Sequence, residues 1–313
     1  MHAMILAGGL SHERDVSIRS GRRVMEELRD AGVEVSMHDV DHGLIPALKE
    51  GGVDVVWPLL HGASGEDGSL QALLEVVGVP YVGTTSQAAR VAWNKSVAKT
   101  LMARYGISTP DAVTMPQSLF REVGAEQMLD SIAAKLGFPL VVKPVRGGSA
   151  LGLSIVQTRE DLARAMVHCF AYGDMALIER FVEGREIAMS VIGSGDDARA
   201  LPGVEVSAAD GRYDYDARYN PGRIEYFAPA RLSVEEAELV AHTALRVHQS
   251  MDLRDLSRVD IILDHDGVAQ VIDINICPGM TETSLMPQAI GAAGMPLREL
   301  YYAIAASAAS RGV

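Results

Sequence analysis

Residues 257–285, SRVDIILDHDGVAQVIDINICPGMTETSL, decide how we interpret the chain. Asp266-Gly267 lies between two β-rich runs, and this dipeptide favours a two-residue type I′ hairpin turn. Counting outward places Asp260 opposite Asp273, and Asn275 shares the face of Asp273 because side chains alternate along a strand. Like charges directly opposite one another repel, so we predict a hard cation between them, and oxygen ligands suit Mg²⁺. The alternative is a longer loop, which shifts the register and leaves these residues on a solvated edge.

Length, composition and charge narrow the class of protein. The chain has 313 residues, 48% of them hydrophobic, and a formal net charge of −13. This length predicts two or three domains. The acidic balance argues against a nucleic-acid partner, and no apolar run approaches the ~20 residues that span a bilayer, so we expect no membrane partner. Two cysteines, Cys169 and Cys277, imply no disulfide framework, and we expect a reducing, cytoplasmic setting.

The N-terminal part alternates predicted strands and helices over residues 4–85, which indicates a small parallel α/β domain. Two glycine-rich turns, Gly8-Gly9 and residues 61–69 (HGASGEDGS), follow predicted strands, where ligands of open α/β sheets bind. Each is equally consistent with an ordinary polar βα loop. One continuous helix is predicted over residues 86–105. The predicted domains are residues 1–93, 94–184 and 185–313.

The central part has a third glycine-rich segment. Lys143 lies near the end of a predicted strand, residues 138–144, and RGGSALG follows at residues 146–152. Such a connector can act as a flap whose backbone N–H groups approach phosphate oxygens, although a simple hairpin loop is the alternative. Residues 209–230, which contain four tyrosines and three arginines, predict a lid. Ser233 with Glu236 predicts a capping box at the start of a helix.

Taken together, these segments resemble the ATP-grasp ligases, and among them the D-alanine–D-alanine ligase family. The resemblance covers nearly the whole chain, and its motifs appear in the family's order: GGLSHERDVSIRSG, HGASGEDGSLQALLEVVGVPYVGT, FPLVVKPVRGGSALG, IERFVEGRE, YDYDARY and RVDIILDHDGVAQVIDINICPGMTETSLMP. It implies an α/β and α+β ATP-grasp fold with an N-terminal parallel α/β domain. It also implies that ATP phosphorylates the carboxylate of one D-alanine and that the amine of a second attacks the acyl phosphate. The product would be D-alanyl-D-alanine, for peptidoglycan synthesis.

The same resemblance assigns residues to ATP and to metal. The metal ligands would be Asp260, Asp273 and Asn275, holding two Mg²⁺ ions, with Mn²⁺ as a substitute. Around ATP we expect Lys95 and Lys143 on phosphate oxygens, Gly148 and Ser149 in the flap, Glu179 and the backbone of Arg180 and Val182 at adenine, and Glu186 at the ribose.

It also assigns residues to the amino acids. Glu13 would bind the ammonium of the first D-alanine, with His61 in the same pocket. The developing oxyanion would be held by Arg258 and the N–H of Gly279, and the second carboxylate by Ser284 and the N–H of Leu285. Tyr219 would close the lid with Glu13 and Ser149, and Arg218 would lie near the γ-phosphate. In the family a tyrosine at this position goes with amine attack, which favours D-alanine over D-lactate.

Several positions depart from the family pattern. Asp273 stands where Glu is usual, and Arg218 where Lys is usual, which replaces a point charge with a planar fork. Gly147 and Ala150 replace an acidic residue and a serine in the flap. These changes leave open a ligase for another D-amino acid, for example in antibiotic biosynthesis. A binding module without catalysis is disfavoured, because the key groups are present. The resemblance also makes a homodimer an option.

Overall fold

The computed structural model describes residues 1–50, 52–208 and 224–312. The helices are α1 (Arg14–Asp30), α2 (Leu44–Lys49), α3 (Ala63–Glu66), α4 (Ser69–Val77), α5 (Ser86–Trp93), α6 (Lys95–Arg104), α7 (Gln117–Val123), α8 (Ala125–Leu136), α9 (Arg159–Phe170), α10 (Val234–Ser250), α11 (Leu285–Ala292) and α12 (Leu297–Arg311). The strands are β1 (His2–Leu6), β2 (Glu34–His38), β3 (Val55–Pro58), β4 (Ala112–Pro116), β5 (Leu140–Pro144), β6 (Ser154–Val156), β7 (Met175–Arg180), β8 (Gly184–Ser194), β9 (Arg199–Ala200), β10 (Val204–Ala208), β11 (Ile224–Phe227), β12 (Arg254–Asp264) and β13 (Ala269–Asn275).

The described strands form three sheets. The first is parallel, in the order β2-β1-β3, as the alternating pattern predicts. The second is antiparallel, in the order β4-β7-β5-β6, and the third is β11-β10-β8-β12-β13, with β9 paired to β8. The prediction of an α/β and α+β fold with an N-terminal parallel sheet is therefore confirmed. Within the described residues, no helix combines the length and the apolar character that crossing a membrane requires.

One hydrophobic cluster joins the first sheet to the third. It includes Ile5 and Trp57 from β1 and β3, Leu256 from β12, and Tyr301 from α12. The Trp57 and Tyr301 rings meet edge to face, with centroids 5.5 Å apart. Burying such side chains contributes about 1.5–3 kcal/mol each. This packing holds the turns that follow β1 and β3 against the segment that follows β13.

The hairpin of β12 and β13 has the predicted pairing but a different turn. Asp260 lies opposite Asp273, as predicted. The turn, however, has a three-residue loop, because the Asp264 N–H donates to the Val268 carbonyl, and of the predicted pair only Gly267 has positive φ. An irregularity between Asp260 and Ile261 then shifts the register by one residue. The longer loop and the bulge compensate, so the predicted pairing is correct although the predicted turn is wrong.

The prediction of one helix over residues 86–105 is wrong. The chain breaks at Asn94, whose extended backbone (φ −94°, ψ 97°) separates α5 from α6. The Asn94 side chain accepts a hydrogen bond from the Val97 N–H and so caps α6. The break lets the Lys95 N–H donate to the carbonyl of Val145 at 3.0 Å. It therefore fixes the start of α6 beside the end of β5.

The prediction of a capping box is confirmed: the Ser233 side chain accepts from the Glu236 N–H, and the Glu236 side chain accepts from the Ser233 N–H. Two predicted site residues, Arg218 and Tyr219, lie outside the described residues. The lid predicted for residues 209–230 falls mostly on the same stretch. Its last part, from Ile224 to Phe227, is strand β11.

Candidate active site

The predicted site residues that the structure describes line three neighbouring cavities. We call them the polar cavity, which is lined by Glu13, His61, Glu66, Ser149, Arg258, Asn275, Gly279, Ser284 and Leu285 among others; the apolar slot, lined by Lys143, Glu179, Arg180, Val182, Glu186, Ile262 and Ile272 among others; and the junction, lined by Lys95, Lys143, Gly148, Glu186, Asp260 and Asp273 among others. Lys95 and Asp273 line both the polar cavity and the junction, and Lys143 lines both the junction and the slot. The junction therefore lies between the other two.

The flap and the first glycine-rich turn meet at the polar cavity. Glu13 is the N-cap of α1, and its carboxylate accepts a hydrogen bond from the Ser149 hydroxyl. Ser149 and Ala150 have positive φ (53° and 57°), which non-glycine residues adopt only at a cost of about 1–2 kcal/mol. A Cβ added at Gly148 would lie 3.9 Å from the Glu13 carboxylate. The structure thus brings Glu13, Gly148 and Ser149 together, as predicted.

His61 presents one ring nitrogen to the polar cavity. Its Nδ1 lies 3.0 Å from the Cys277 carbonyl, which can only accept, so Nδ1 carries the hydrogen. Burial lowers the pKa of His61, against the opposing effect of the Glu13 charge, so the ring is neutral and its Nε2 is an acceptor. Nε2 is buried and has no hydrogen-bond partner among the described residues. An acceptor of this kind suits a donor such as a substrate ammonium.

Glu66 is a site residue that the sequence reasoning missed. It ends α3, is only 7% exposed, and lines the polar cavity. Its Oε1 accepts from the Gly62 N–H at 3.0 Å. Burial, together with the nearby Glu13 charge, raises the pKa of Glu66 to about 8. The available signal was its place in the motif of residues 61–69, where Gly65 is also required, because a Cβ there would lie 1.9 Å from the Leu60 carbonyl oxygen.

The opposite wall of the polar cavity comes from β12 and the segment after β13. Arg258 donates to both oxygens of Asp260, from Nε at 2.7 Å and from Nη2 at 2.8 Å, and both residues are buried. Ser284 is the N-cap of α11, and its Oγ accepts from the Thr281 N–H at 3.0 Å. A Cβ at Gly279 would lie 2.8 Å from that Oγ, so the backbone there must approach Ser284 closely. Arg258, Gly279, Ser284 and Leu285 thus lie in one wall.

The predicted metal ligands share one sheet face beside the junction. Asp260 and Asp273 are paired across β12 and β13, and Asn275 follows Asp273 by two residues. Lys95 Nζ lies 3.0 Å from Asp273 Oδ1, and despite burial the charges of Lys95 and Lys143 hold the pKa of Asp273 below its ordinary value. Asp273 is therefore ionised at neutral pH.

This donor set fits Mg²⁺ that is also bound by a phosphate. No group of three or more His, Cys, Asp or Glu side chains forms a metal cage in residues 1–50, 52–208 and 224–312. Mg²⁺ is commonly held by one or two carboxylates together with substrate phosphates. The oxygens of Asp260 and Asn275 already accept hydrogen bonds, from Arg258 and from the Cys277 N–H, but each carbonyl-type oxygen has a second lone pair.

The floor of the apolar slot holds a buried group of charges. Glu179, on β7, lies between Lys143 Nζ at 2.9 Å and Lys99 Nζ at 3.6 Å. Lys143 Nζ also donates to the Ile272 carbonyl at 3.0 Å. Although burial opposes it, the Glu179 charge raises the pKa of Lys143, so this lysine stays charged. Sequence reasoning missed Lys99, whose signal was its spacing of four residues from Lys95 on the same helix.

The remaining predicted residues lie along one edge of the slot. Arg180, Val182 and Glu186 all line it. The Arg180 N–H is already used, because it donates to the Asp111 carbonyl at 2.9 Å. Glu186, on β8, lines both the slot and the junction. A flat apolar ligand group in the slot would therefore meet a carboxylate at its floor and another toward the junction.

Comparisons with known proteins show what the chain as a whole is similar to. Family models described as "D-ala D-ala ligase C-terminus" and "D-ala D-ala ligase N-terminus" match residues 101–305 and 44–84. The chain is 38% identical to the D-alanine–D-alanine ligase of Desulforudis audaxviator over 95% of this chain and 94% of that protein. It is 36% identical to the enzyme of Bordetella avium over 98% and 94%. Among solved structures, the D-alanine–D-alanine ligase of Bacillus anthracis complexed with ATP is 27% identical, with a TM-score of 0.83 over 99% of this chain and 98% of that one.

Proposed function

The chain belongs to the D-alanine–D-alanine ligase family, and from that premise we propose how its three cavities divide the work of an ATP-dependent ligation of two D-alanines. The single observation that carries the division is that lysines and metal-type oxygens converge at the junction, between an acceptor-lined cavity and an apolar slot. The product, D-alanyl-D-alanine, serves peptidoglycan precursor synthesis. The names of the relatives favour D-alanine over another D-amino acid.

The apolar slot is the proposed adenosine site. Ile262 and Ile272 offer apolar surface to the base, and Glu179 offers a carboxylate acceptor for its amino group. Glu186 lies where the ribose hydroxyls would reach the junction. The Arg180 N–H is engaged in the fold, so its carbonyl and the backbone of Val182 remain the proposed backbone contacts. This arrangement directs the triphosphate toward Lys143 and Lys95.

In the first proposed step, the γ-phosphoryl group passes from ATP to the first D-alanine at the junction. A carboxylate oxygen of the first D-alanine attacks the γ-phosphorus, the bond to the bridging oxygen breaks, and ADP leaves. Lys95 and Lys143 neutralise the phosphate oxygens, which is most of what in-line phosphoryl transfer requires. Bound Mg²⁺, held by Asp260, Asp273 and Asn275, would add Lewis-acid stabilisation of the same charge. We propose two ions, with Mn²⁺ able to replace them.

The polar cavity is the proposed site of both amino acids. Glu13 and the Nε2 of His61 are acceptors for the ammonium of the first D-alanine. In the second step, the amine nitrogen of the second D-alanine attacks the acyl carbon, the C–N bond forms, and the C–O bond to phosphate breaks. Arg258 and the Gly279 N–H would hold the oxyanion that develops, since preorganised donors stabilise such charge.

The second D-alanine would bind through its carboxylate at the start of α11. Ser284 Oγ and the Leu285 N–H are proposed donors, at a helix N-terminus that favours anions. Ser284 Oγ also lies 2.8 Å from the hydroxyl of Thr281, so its orientation is fixed before the substrate arrives. Tyr219 and Arg218, outside the described residues, are proposed to complete the closed site.

The remaining proposals concern organisation. We propose the domain limits 1–93, 94–184 and 185–313, which assign one described sheet to each domain apart from Gly184, the first residue of β8. A cytoplasmic location fits two buried thiols without a disulfide. A homodimer is proposed on the family resemblance, and sedimentation at micromolar concentration checks it.

The test is substrate-dependent release of phosphate. With ATP, Mg²⁺ and D-alanine, we expect phosphate and D-alanyl-D-alanine in equal amounts, the dipeptide being identified by mass spectrometry. D-serine and D-lactate should each give slower release than D-alanine. Phosphate release that does not exceed the control without an amino acid would contradict the proposal, and faster turnover with another D-amino acid would change the substrate.

A further inference from the structure

Two ammonium groups share one buried carboxylate at the floor of the apolar slot. The side chains of Glu179, Lys143 and Lys99 are 3%, 9% and 14% exposed. Lys143 approaches Oε1 and Lys99 approaches Oε2, so each oxygen of Glu179 faces its own cation. With all three groups ionised, the set carries one more positive charge than the carboxylate needs.

The two lysines differ in what else they face. Lys143, on β5, lines both the slot and the junction, so its ammonium is within the region where phosphate is proposed to bind. Lys99, on α6, borders a groove between α6 and β4 and is not among the described residues that line the slot or the junction. Only Lys143 of this pair is therefore placed to donate to a phosphate oxygen.

A phosphate at the junction would compete with Glu179 for Lys143. A lysine ammonium has three donors, and one of them already goes to the Ile272 carbonyl. If Lys143 turned toward phosphate, a buried carboxylate with no other cation would lose its counter-ion, which is strongly unfavourable. Lys99 stays beside Oε2 and removes that cost.

We propose that Lys99 is a positioning residue, the standing counter-ion of Glu179, which frees Lys143 to bind the phosphates of ATP. This inference deepens the proposed function and rests on its assignment of Lys143 to phosphate. Lys99 follows Lys95 by four residues on α6, so Lys95 and Lys99 lie on one face of that helix. Burial lowers the pKa of Lys99 and the Glu179 charge opposes this, so the charge of Lys99 depends on its carboxylate partner.

The experiment is a cycle of variants in which Mg·ATP binding is measured by calorimetry without D-alanine. Lys99→Met should weaken ATP binding on the order of tenfold or more, because Lys143 is then held by Glu179. In the Glu179→Gln background, the same change should weaken binding by less than about twofold. Gln keeps an acceptor for the base but has no charge, so it no longer holds Lys143.

Two further variants separate this role from folding. Lys99→Arg keeps the charge and should bind ATP within about threefold of the unsubstituted protein. Lys135→Met, on the exposed face of α8, should leave binding unchanged. If Lys99→Met does not fold, Lys99→Gln takes its place in the cycle.

The outcomes are distinct. An equal loss of ATP binding in both backgrounds, or no loss in either, would overturn the counter-ion role. If the unsubstituted protein binds ATP but releases no phosphate with D-alanine, the ligase function fails while the cycle still decides this inference. If it binds no ATP, both are overturned.

Discussion

The polar cavity and the apolar slot each contain a buried glutamate, and the charges that surround the two glutamates differ. Glu179, in the slot, faces two lysine ammonium groups and is 2% exposed. Glu66, in the polar cavity, is 7% exposed, accepts from the Gly62 N–H, and makes no ion pair with any residue in the described ranges. The carboxylate at the floor of the slot thus has one cation more than it needs, whereas the buried carboxyl of the polar cavity has no ion-pair partner among the described residues.

The difference matches the charges of the two substrates. ATP is a polyanion, and cations that are already in place neutralise it without being supplied by solvent. D-alanine brings its own ammonium, which can complete the set of Glu13, His61 and Glu66. The reacting groups, a phosphate and a carboxylate, are both anions, and the proposed place of their reaction is the junction. Asp273 and Lys95 lie there, with 3.0 Å between Oδ1 and Nζ.

The largest expected effect comes from removing a negative charge at the junction. Asp273→Asn should lower D-alanine-dependent phosphate release by about 1,000-fold, because one metal ligand is lost where transition-state charge is stabilised. Steady-state phosphate assays at saturating Mg²⁺ measure it. Asp266→Asn, in the exposed turn of the same hairpin, is the matched control and should retain full activity. Similar activity in both variants would contradict the proposal that Asp273 binds a metal ion that the reaction requires.

The second-largest expected effect tests whether the polar cavity and the apolar slot bind different substrates. Glu13→Gln should raise the KM for the first D-alanine by about 100-fold, since removing the charge of one partner of an enclosed ion pair is costly. The KM for ATP should change little, because Glu13 lines the polar cavity and not the slot. Glu26→Gln, exposed on the same helix, serves as the control. Parallel increases in both KM values would show that the cavities do not act separately.

The third effect is on folding stability and tests whether burial raises the pKa of Glu66. Burial raises the pKa of Glu66 to about 8, so the folded protein binds a proton that the unfolded chain releases near pH 4.5. Folding stability from this group is therefore lost as pH rises toward 8. Between about pH 6 and about pH 7.5 the loss is about 2 kcal/mol, at 1.36 kcal/mol for each pH unit.

Glu66→Gln should remove this pH dependence. Urea unfolding at the two pH values measures it. Between them, the free energy of unfolding of the variant should rise by about 2 kcal/mol relative to that of the unsubstituted protein. Glu126→Gln, exposed on α8, should follow the unsubstituted protein. Identical pH slopes for Glu66→Gln and the unsubstituted protein would mean that Glu66 is ionised and compensated in the fold.

The smallest effect concerns the second amino acid. Ser284→Ala should raise the KM for the second D-alanine by about tenfold, the value of one hydrogen bond to a charged group. The first D-alanine should bind as before, which analysis of the two KM values separates. Ser131→Ala, exposed on α8, is the control. An unchanged KM for the second D-alanine would mean that the backbone of α11, without the Ser284 hydroxyl, binds its carboxylate.

Much of the fold and of the candidate site could be predicted from the sequence, for physical reasons that differ between residues. Alternation and glycine-rich turns indicate the parallel sheet directly. The opposition of Asp260 and Asp273 was predicted from a two-residue loop, although the loop has three residues. The predicted pairing is nevertheless correct, because a bulge restores the register. A bulge depends on contacts that no local pattern encodes, such as the hydrogen bond from Lys143 to the Ile272 carbonyl.

The residues that sequence reasoning missed owe their role to burial. Glu66 lies in a polar motif and Lys99 on a helix of mixed character, so each is consistent with an exposed charge. Their surroundings come from distant parts of the chain: Glu66 is near Glu13, and Lys99 is near Glu179. Only the packed fold reveals that one carboxyl lacks a cation and the other has two.

The most direct test of the central claim, that phosphate and D-alanine carboxylate react at the junction, is isotope transfer. D-alanine labelled with ¹⁸O in its carboxylate is incubated with ATP and Mg²⁺, and the released phosphate is analysed by mass spectrometry. We predict that each phosphate carries one labelled oxygen, because the C–O bond of the acyl phosphate breaks when the amine attacks. Unlabelled phosphate, released together with dipeptide, would contradict the account.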